Sequence, residues 1–365
     1  MKTLEQARQE IDAIDQQMAD LYARRMDVTA DVAAWKKERN LPVLDAARER
    51  QVIEKNVKRL NRPDLADGYE DFLNFLMAQS RARQQSLLNQ DVVAYAGIEG
   101  AFAHMVSEKL FQGAPKLATG GFDQAVQALM DHKARYAVVP LENTSSGTVG
   151  EVLDLLNNKK VYIARVFDQP IEQVLLGIKG ASLKDVEWVY SKDQALAQSA
   201  AFLDKLGVQK IPYPNTAMAA QHVAAMQDKT KAAIGAKENA VLYDLDILAD
   251  HIEQAASNTT RFLVLSDQPS ENEGDHFSLV LVVDNKVGAL ATIIETISQN
   301  GWNMDSIQSR PIKSRPFEYF FYIQCEGNPD REQMEACMAQ LKTVCRQVRW
   351  LGCYTIEKGE HSCLS

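Results

Sequence analysis

Cysteine is scarce in this sequence. Five occur in 365 residues, all between Cys325 and Cys363; the number is odd and no CxxC pair is present. A disulfide frame or a zinc site needs paired or closely spaced thiols, so reduced thiols are expected. Histidine is equally thin: six residues, scattered, with none in the first 90. No metal site and no cofactor is expected. No run approaches the ~20 apolar residues of a membrane span. The opening MKTLEQARQE lacks the apolar core of a secretion signal. A cytoplasmic protein without a membrane partner is expected. Positive charge is the rarer sign, 40 Lys and Arg against 49 Asp and Glu, for a net −9. Nucleic acid needs a basic face and is excluded as the main partner, whereas small anions need only a few local cations.

What is present divides into segments. The length suggests two or three domains, and 46% hydrophobic with 24% charged residues is ordinary for a soluble chain. Glycine and proline are absent until Pro42, and Leu4, Ala7, Ile11, Ile14, Met18, Leu21, Val28, Val32 and Trp35 recur at three and four. That is the seam of a coiled-coil-like helix of about 50 Å, too long to bury itself in a 90-residue monomer, so a homodimer or higher oligomer is expected. A second helix should start after Asp45 as N-cap, and a third should run from Leu65 to Leu88. From 91 to 267, short apolar runs (VVAYAG, YAVVPL, VLLGI, EWVYS, KIPYP, AAIGA, RFLVLS) alternate with helical stretches, which predicts an α/β domain, two lobes with a cleft between them. DQPSENEGDH is a linker, and residues 276–356 read as βαββαβ, a ferredoxin-like α+β domain.

Cations break the helical seam. Arg25 falls between Leu21 and Val28, and Arg8 and Lys36 flank the same face. On the third helix Phe72, Leu76, Ser80, Gln84 and Leu88 follow every four residues, two of them polar. Snorkelling side chains or a polar register device account for single members. Together they make a cationic pocket suited to a compact dianion. Here ARQEIDAID, ARRMDV, WKKERNLPVLDAARERQVIE and QSRARQQ resemble the all-helical chorismate mutase domain over residues 1–90. The resemblance implies that Arg8, Arg25 and Arg48 bind substrate carboxylates, Arg8 across a dimer. It implies that Lys36 and Gln84 bond the ether oxygen. Asp45, Glu49 and Ser80 then orient the hydroxyl and the cations. The implied reaction, chorismate to prephenate, needs no nucleophile, only a held conformer and charge stabilisation on the breaking C–O bond.

Two polar stretches mark the α/β segment. VVPLENTSSGTVG leaves a strand and enters a helix, with Ser146 or Thr148 available as its cap. NTTRFLVL sets Asn258 to Arg261 at a strand start, and YAGIEGAFAH places Gly97 and Gly100 at a turn whose amides can receive a carboxylate unless it is merely tight. Together these resemble prephenate dehydratase over residues 91–267, with two lobes like periplasmic binding proteins. The resemblance makes Thr260 the leading catalytic residue. It places Glu142, Asn143, Thr144, Ser145, Arg261 and Phe262 in or behind the site, with Asn143, Thr144 and Ser145 ahead of Ser146, and Ser191 and Thr216 on the second lobe. The chain departs from the family's usual proline in GIEGAF, and has Lys192 and Asp193 where a His-Pro pair is common.

VGALATII and QSRPI resemble the ACT domain. That implies phenylalanine binding by Gly288, Ala289, Leu290, Gln308, Ser309, Arg310 and Pro311, with Gln308 replacing the usual glutamate. The sequence thus reads as a mutase–dehydratase acting on chorismate and prephenate with L-phenylalanine as effector. An arogenate-preferring dehydratase and a non-catalytic small-molecule sensor are the alternatives.

Overall fold

The computed structural model describes residues 2–39, 41, 43–88, 92–253, 258–269, 274–283 and 286–359. The chain divides into two compact units, the first helical and the second built on sheets.

In the first unit, α1 (Leu4–Glu38) runs 35 residues without a break, as a stretch free of helix-breaking residues should. Asp45 caps α2 (Ala46–Arg59) where expected, its Oδ1 accepting from Arg48 N at 3.0 Å. The helix α3 (Ala66–Leu88) completes the set. What these helices bury is mostly small or polar, Thr29 and Ala33 from α1 and Ser80 and Gln84 from α3, with Leu73 of α3 the one large apolar side chain among the described residues. The apolar seam of α1 is left in solvent, with Leu4 68%, Met18 50% and Trp35 52% exposed. A side chain of this kind gains roughly 1.5–3 kcal/mol on full burial, and these forgo about half of it or more.

The second unit begins with β1 (Val93–Ala96), α4 (Phe102–Leu110), β2 (Lys116–Thr119), α5 (Phe122–Met130), β3 (Tyr136–Asn143), β4 (Gly147–Thr148), α6 (Gly150–Asn158) and β5 (Tyr162–Pro170). The chain then crosses to a second lobe of β6 (Val174–Ile178), β7 (Trp188–Ser191), α7 (Asp193–Gln198), α8 (Ala200–Leu206), β8 (Gln209–Pro212), α9 (Thr216–Met226), β9 (Lys231–Gly235), α10 (Glu238–Leu242) and β10 (Leu245–Ala249). It returns to the first lobe as β11 (Thr259–Ser266), which inserts antiparallel between β3 and β5. A four-stranded antiparallel sheet follows, β12 (His276–Val283), β13 (Asn303–Pro311), β14 (Tyr319–Glu326) and β15 (Cys345–Tyr354), in the order β13-β14-β12-β15, with α11 (Ala289–Gln299) and α12 (Arg331–Leu341). Finally β16 (Ile356–Lys358) pairs parallel with β5 and becomes the edge of the first-lobe sheet, ordered β16-β5-β11-β3-β1-β2.

Among the described residues five strands, β2, β4, β5, β10 and β16, were not foreseen. In β5 two of every three residues are buried, because Arg165 and Asp168 face outward three apart, so the alternation that marks a strand is broken. The first-lobe core joins Val93, Tyr95, Val138, Phe262 and Val264, so the strand that carries Thr260 is anchored in the core just beyond that residue.

The four-stranded sheet is tied to the first lobe by charge. Glu357 of the edge strand β16 makes a bidentate pair with Arg165 of β5 at 2.8 and 2.9 Å, and Arg310 of β13 ties the four-stranded sheet itself to Asp154 of α6 by another, at 3.1 and 2.9 Å. Gly150 permits the second: a Cβ there would lie 2.0 Å from Arg310 Nη1. Burial raises the Asp154 carboxyl, but its bonds to Arg310 and Lys313 outweigh this and hold it below the ordinary value.

Candidate active sites

In the helical unit, Arg25, Thr29, Ala33 and Lys36 lie at spacings of three and four on α1, which puts them on one face. Arg25 donates from Nη1 to Ser80 Oγ and reaches Met77 Sδ with Nη2 at 3.5 Å. Burial lowers the Arg25 guanidinium from its usual value. Ser80 Oγ is further fixed by its bond to Leu76 O at 2.8 Å. Lys36 Nζ donates to Val43 O at 2.5 Å, which ties Val43 to the end of α1. Gln84 is buried, and its Oε1 has no partner among the described residues. A buried acceptor without a donor is rare and asks for an explanation, which an incoming ligand or water supplies.

Glu49 pairs with Arg81, a residue the sequence reading passed over. Met77, Ser80, Arg81 and Gln84 fall at i, i+3, i+4 and i+7, and that spacing was available as a signal. Asp45 and Arg48 are exposed. Arg8 is exposed and stands 17 residues, or about 25 Å, from Arg25 along the same helix, so within one chain it does not join the cluster.

In the second unit a cavity of about 290 Å³ opens between the two lobes. Its first-lobe wall is built on β3 and β11. Thr260 and Phe262 alternate with Arg261 along β11, so the period of two puts Thr260 and Phe262 in the cavity and Arg261 behind it. Thr260 Oγ1 accepts from Asn143 Nδ2 at 2.9 Å. The same amide nitrogen also reaches Asn258 Oδ1 at 2.7 Å and Thr259 O at 3.1 Å, so two protons serve three acceptors. Asn143 Oδ1 in turn accepts from Ser145 N at 2.9 Å, Ser146 N at 3.2 Å and Gln194 Nε2 at 3.1 Å, which fixes which end of the amide is which.

A chain of amides extends from this point. Gln198 Oε1 accepts from Gln173 Nε2 at 3.0 Å and from Asn258 Nδ2 at 3.2 Å. Gln198 Nε2 is left buried without a partner among the described residues while Gln198 lines the cavity. Gln194 and Gln198, four apart on one turn-and-a-bit of α7, were missed because the sequence reading weighed only the hydroxyl-rich loops.

Several expected positions fall elsewhere. Arg261 does not face the cavity; it is held by Asp168 at 2.7 and 2.8 Å, with Glu142 at 3.9 Å and Gln324 at 3.5 Å. The bond to Asp168 raises the Arg261 guanidinium above its usual value despite burial. Thr144 faces the same reverse side, its Oγ1 accepting from Thr259 N at 3.0 Å, and Ser145 is exposed outside the cavity lining. The order expected for the loop holds for Asn143 and fails after it: Asn143 and Ser146 line the cavity, Thr144 and Ser145 do not. Neither Ser146 nor Thr148 caps α6, whose N-cap is Val149 with no side-chain bond. Ser191 is fully buried, donating to Ile234 O at 2.9 Å, and Thr216 lines the cavity at the start of α9. In the glycine turn, the amides of Gly97, Gly100 and Ala101 bond to Thr119 O, His104 Nδ1 and Ile98 O, so they are not offered to a carboxylate. Gly100 instead lets the lobes meet: at its φ of +84°, a Cβ would lie 2.7 Å from Asn239 Oδ1 of α10.

On the four-stranded sheet, Gly288 takes the left-handed conformation before α11 (φ +83°). Ala289 and Leu290 line a cavity of about 200 Å³ with Lys286, Glu318 and Arg346. Gln308, Ser309, Arg310 and Pro311 are not in that lining, and Arg310 is turned to Asp154.

Two unlike folds on one chain, each with its own cluster of polar groups and unpaired buried amides, define a multifunctional enzyme. Comparison with known proteins agrees. Residues 7–85 match the chorismate mutase type II family and residues 93–270 the prephenate dehydratase family. A bifunctional chorismate mutase/prephenate dehydratase of Aquifex aeolicus is 32% identical over 359 residues, covering 97% of this chain and 98% of that one. Among solved structures, a prephenate dehydratase from Arthrobacter aurescens in complex with L-Phe superposes with a TM-score of 0.66 at 25% identity, covering 72% of this chain and 90% of that one. A protein described as GqqA, a novel type of quorum quenching acylase, gives 0.66 at 28% identity, over 72% of this chain and 97% of that one. The chain belongs to the family of bifunctional chorismate mutase/prephenate dehydratases.

Proposed function

We infer that the chain carries out two consecutive steps of phenylalanine biosynthesis: rearrangement of chorismate to prephenate, then loss of carbon dioxide and water from prephenate to give phenylpyruvate. The observation that carries the second step is the Thr260 hydroxyl, which accepts from Asn143 and so has its own proton free to donate into the cavity. A departing ring hydroxyl needs that donor, and a threonine is a weak acid unless a network supports it. The Asn143–Asn258–Gln198 chain is that network, and the unpaired Gln198 Nε2 is a donor for a substrate oxygen. Arg261 and Asp168 then act from behind the strand to hold Thr260 in place.

In the helical domain, Arg25 and Lys36 neutralise the dianion and the oxygen of the breaking bond, with Gln84 and Glu49 at its polar edge. Arg48 and Asp45 border the entrance, and Arg8 comes from a second copy. The exposed seam of α1 and the distance from Arg8 to Arg25 both support a homodimer through this helix. In this reading residues 1–90, 91–267 and 276–356 are the mutase, dehydratase and ACT domains. The last is ferredoxin-like, its strand order and the Ala289–Leu290 cavity supporting a phenylalanine effector. A cytoplasmic location fits a chain in which, among the described residues, no helix is long and apolar enough to cross a membrane. Incubation with chorismate, following prephenate and phenylpyruvate with and without phenylalanine, tests the whole. Accumulation of prephenate without phenylpyruvate would sink the dehydratase half, and unchanged rates with phenylalanine the effector half.

A further inference from the structure

The dehydratase substrate carries two carboxylates, yet the cavity wall is nearly uncharged. Arg261, the cation expected there, is turned away and paired with Asp168. Among the described residues that line the cavity only Lys192 is charged; its polar neighbours are amides and hydroxyls. A dianion entering such a site gives up water around both carboxylates, and neutral donors replace only part of that hydration. A bond from a cation to a carboxylate is about twice as strong as a neutral one.

Lys192 is available for that bond. It is exposed, and it forms no hydrogen bond or ion pair among the described residues. Its backbone is held firmly: the preceding Ser191 is locked to Ile234 O at 2.9 Å, and Gln194, two residues on, donates to Asn143 Oδ1 at 3.1 Å. The lysine therefore stands on the second lobe, facing the first-lobe wall that holds Thr260. A ring acid bridging the lobes has its leaving hydroxyl at Thr260 and its side chain toward the lysine. The neighbouring Asp193 is not part of the lining.

We propose that Lys192 is a specificity-determining residue that binds the side-chain carboxylate and selects the dianionic 2-oxo acid, prephenate, over its 2-amino counterpart, arogenate. The amino form carries an ammonium beside that carboxylate, which the lysine repels, so one positive charge both attracts one ring acid and disfavours the other. The proposal rests on the dehydratase reading of the cleft.

The test is steady-state turnover of prephenate and of arogenate by the full chain, wild type beside Lys192→Gln, Lys192→Glu and Lys192→Arg. Lys192→Gln should lower kcat/KM for prephenate about tenfold or more while changing that for arogenate less than about threefold. Lys192→Glu should push the ratio further toward arogenate. Lys192→Arg, which restores the charge, should stay within about threefold of wild type for both. A prephenate-to-arogenate ratio within about twofold of wild type in both Lys192→Gln and Lys192→Glu overturns the proposal. A wild-type chain that turns over neither ring acid instead overturns the dehydratase reading, an outcome that no Lys192 variant can produce.

Discussion

Replacing Thr260 with valine removes one oxygen and keeps shape, β-branching and strand preference. The structural cost can be worked out from the bonds around Asn143. Its Nδ2 offers two protons to three acceptors, Thr260 Oγ1, Asn258 Oδ1 and Thr259 O. Deleting one acceptor leaves both protons placed, so no buried donor is orphaned. The loss is then one net hydrogen bond, about 1 kcal/mol, rather than the larger penalty of an unsatisfied group. In a unit of this size that shifts melting by about 2–4 °C. Catalysis should suffer far more. Loss of a positioned proton donor costs about 10²–10⁴ in rate, or ~3–5 kcal/mol. Phenylpyruvate formation from prephenate, measured beside a thermal melt, separates the two scales. Thr260→Ser should keep much of the rate because it keeps the hydroxyl. A Thr260→Val protein with a dehydratase rate within about threefold of wild type would refute the role given to this hydroxyl.

Lys36→Ala should cut mutase turnover by about two orders of magnitude while far-UV circular dichroism stays unchanged, since the lysine's only bond described here is to Val43 O; an intact rate removes the assignment. Asp154→Asn should lower the melting temperature most above pH 3.8, where the wild-type carboxylate is ionised against Arg310 and Lys313. Its carboxyl is depressed in the folded state, so that contribution fades as pH falls through the lowered value, and the difference between variant and wild type should shrink in acid. Burial pushes the Cys325 thiol up to about 12 and Cys337 to about 11, so an alkylating reagent at about pH 8 should leave both unmodified until the protein unfolds. Labelling of either in the native protein contradicts the burial described.

The long helix was legible because its signals agree, no breaker before Pro42 and an apolar period of 3.5, and the start of α2 was legible from an Asp45 cap that the structure repeats. Thr260, Asn143, Phe262 and Thr216 were legible as types in a motif, and the cavity brings them together. The facing of Arg261 and Thr144 was not, although the period of two along a strand contains that information for Arg261 once the strand is placed. Gln194 and Gln198 went unread because glutamine on a short helix looks like any solvated face; only the fold turns that face toward Asn143. The strand β5 hid for a different reason. It is paired with β11 on one edge and β16 on the other, and β15 packs against it, with Gly352 close to Ile163 O, so its burial follows tertiary contacts and not a local period.

The edge strand Ile356–Lys358 has a consequence for how the protein is made. Arg165 and its partner Glu357 lie 192 positions apart. At about 5–20 residues per second, a ribosome needs roughly 10–40 s to cover that interval. Throughout it, the edge of β5 at Val166–Asp168 shows bare backbone donors and acceptors, the usual template for wrong pairing between nascent chains. A chain cut at residue 270, where the dehydratase family match ends, would stay in that state permanently. The sheet that carries the cleft is thus completed by the last strand of the described chain, and the dehydratase segment expressed by itself should aggregate more readily for a reason that has nothing to do with effector binding.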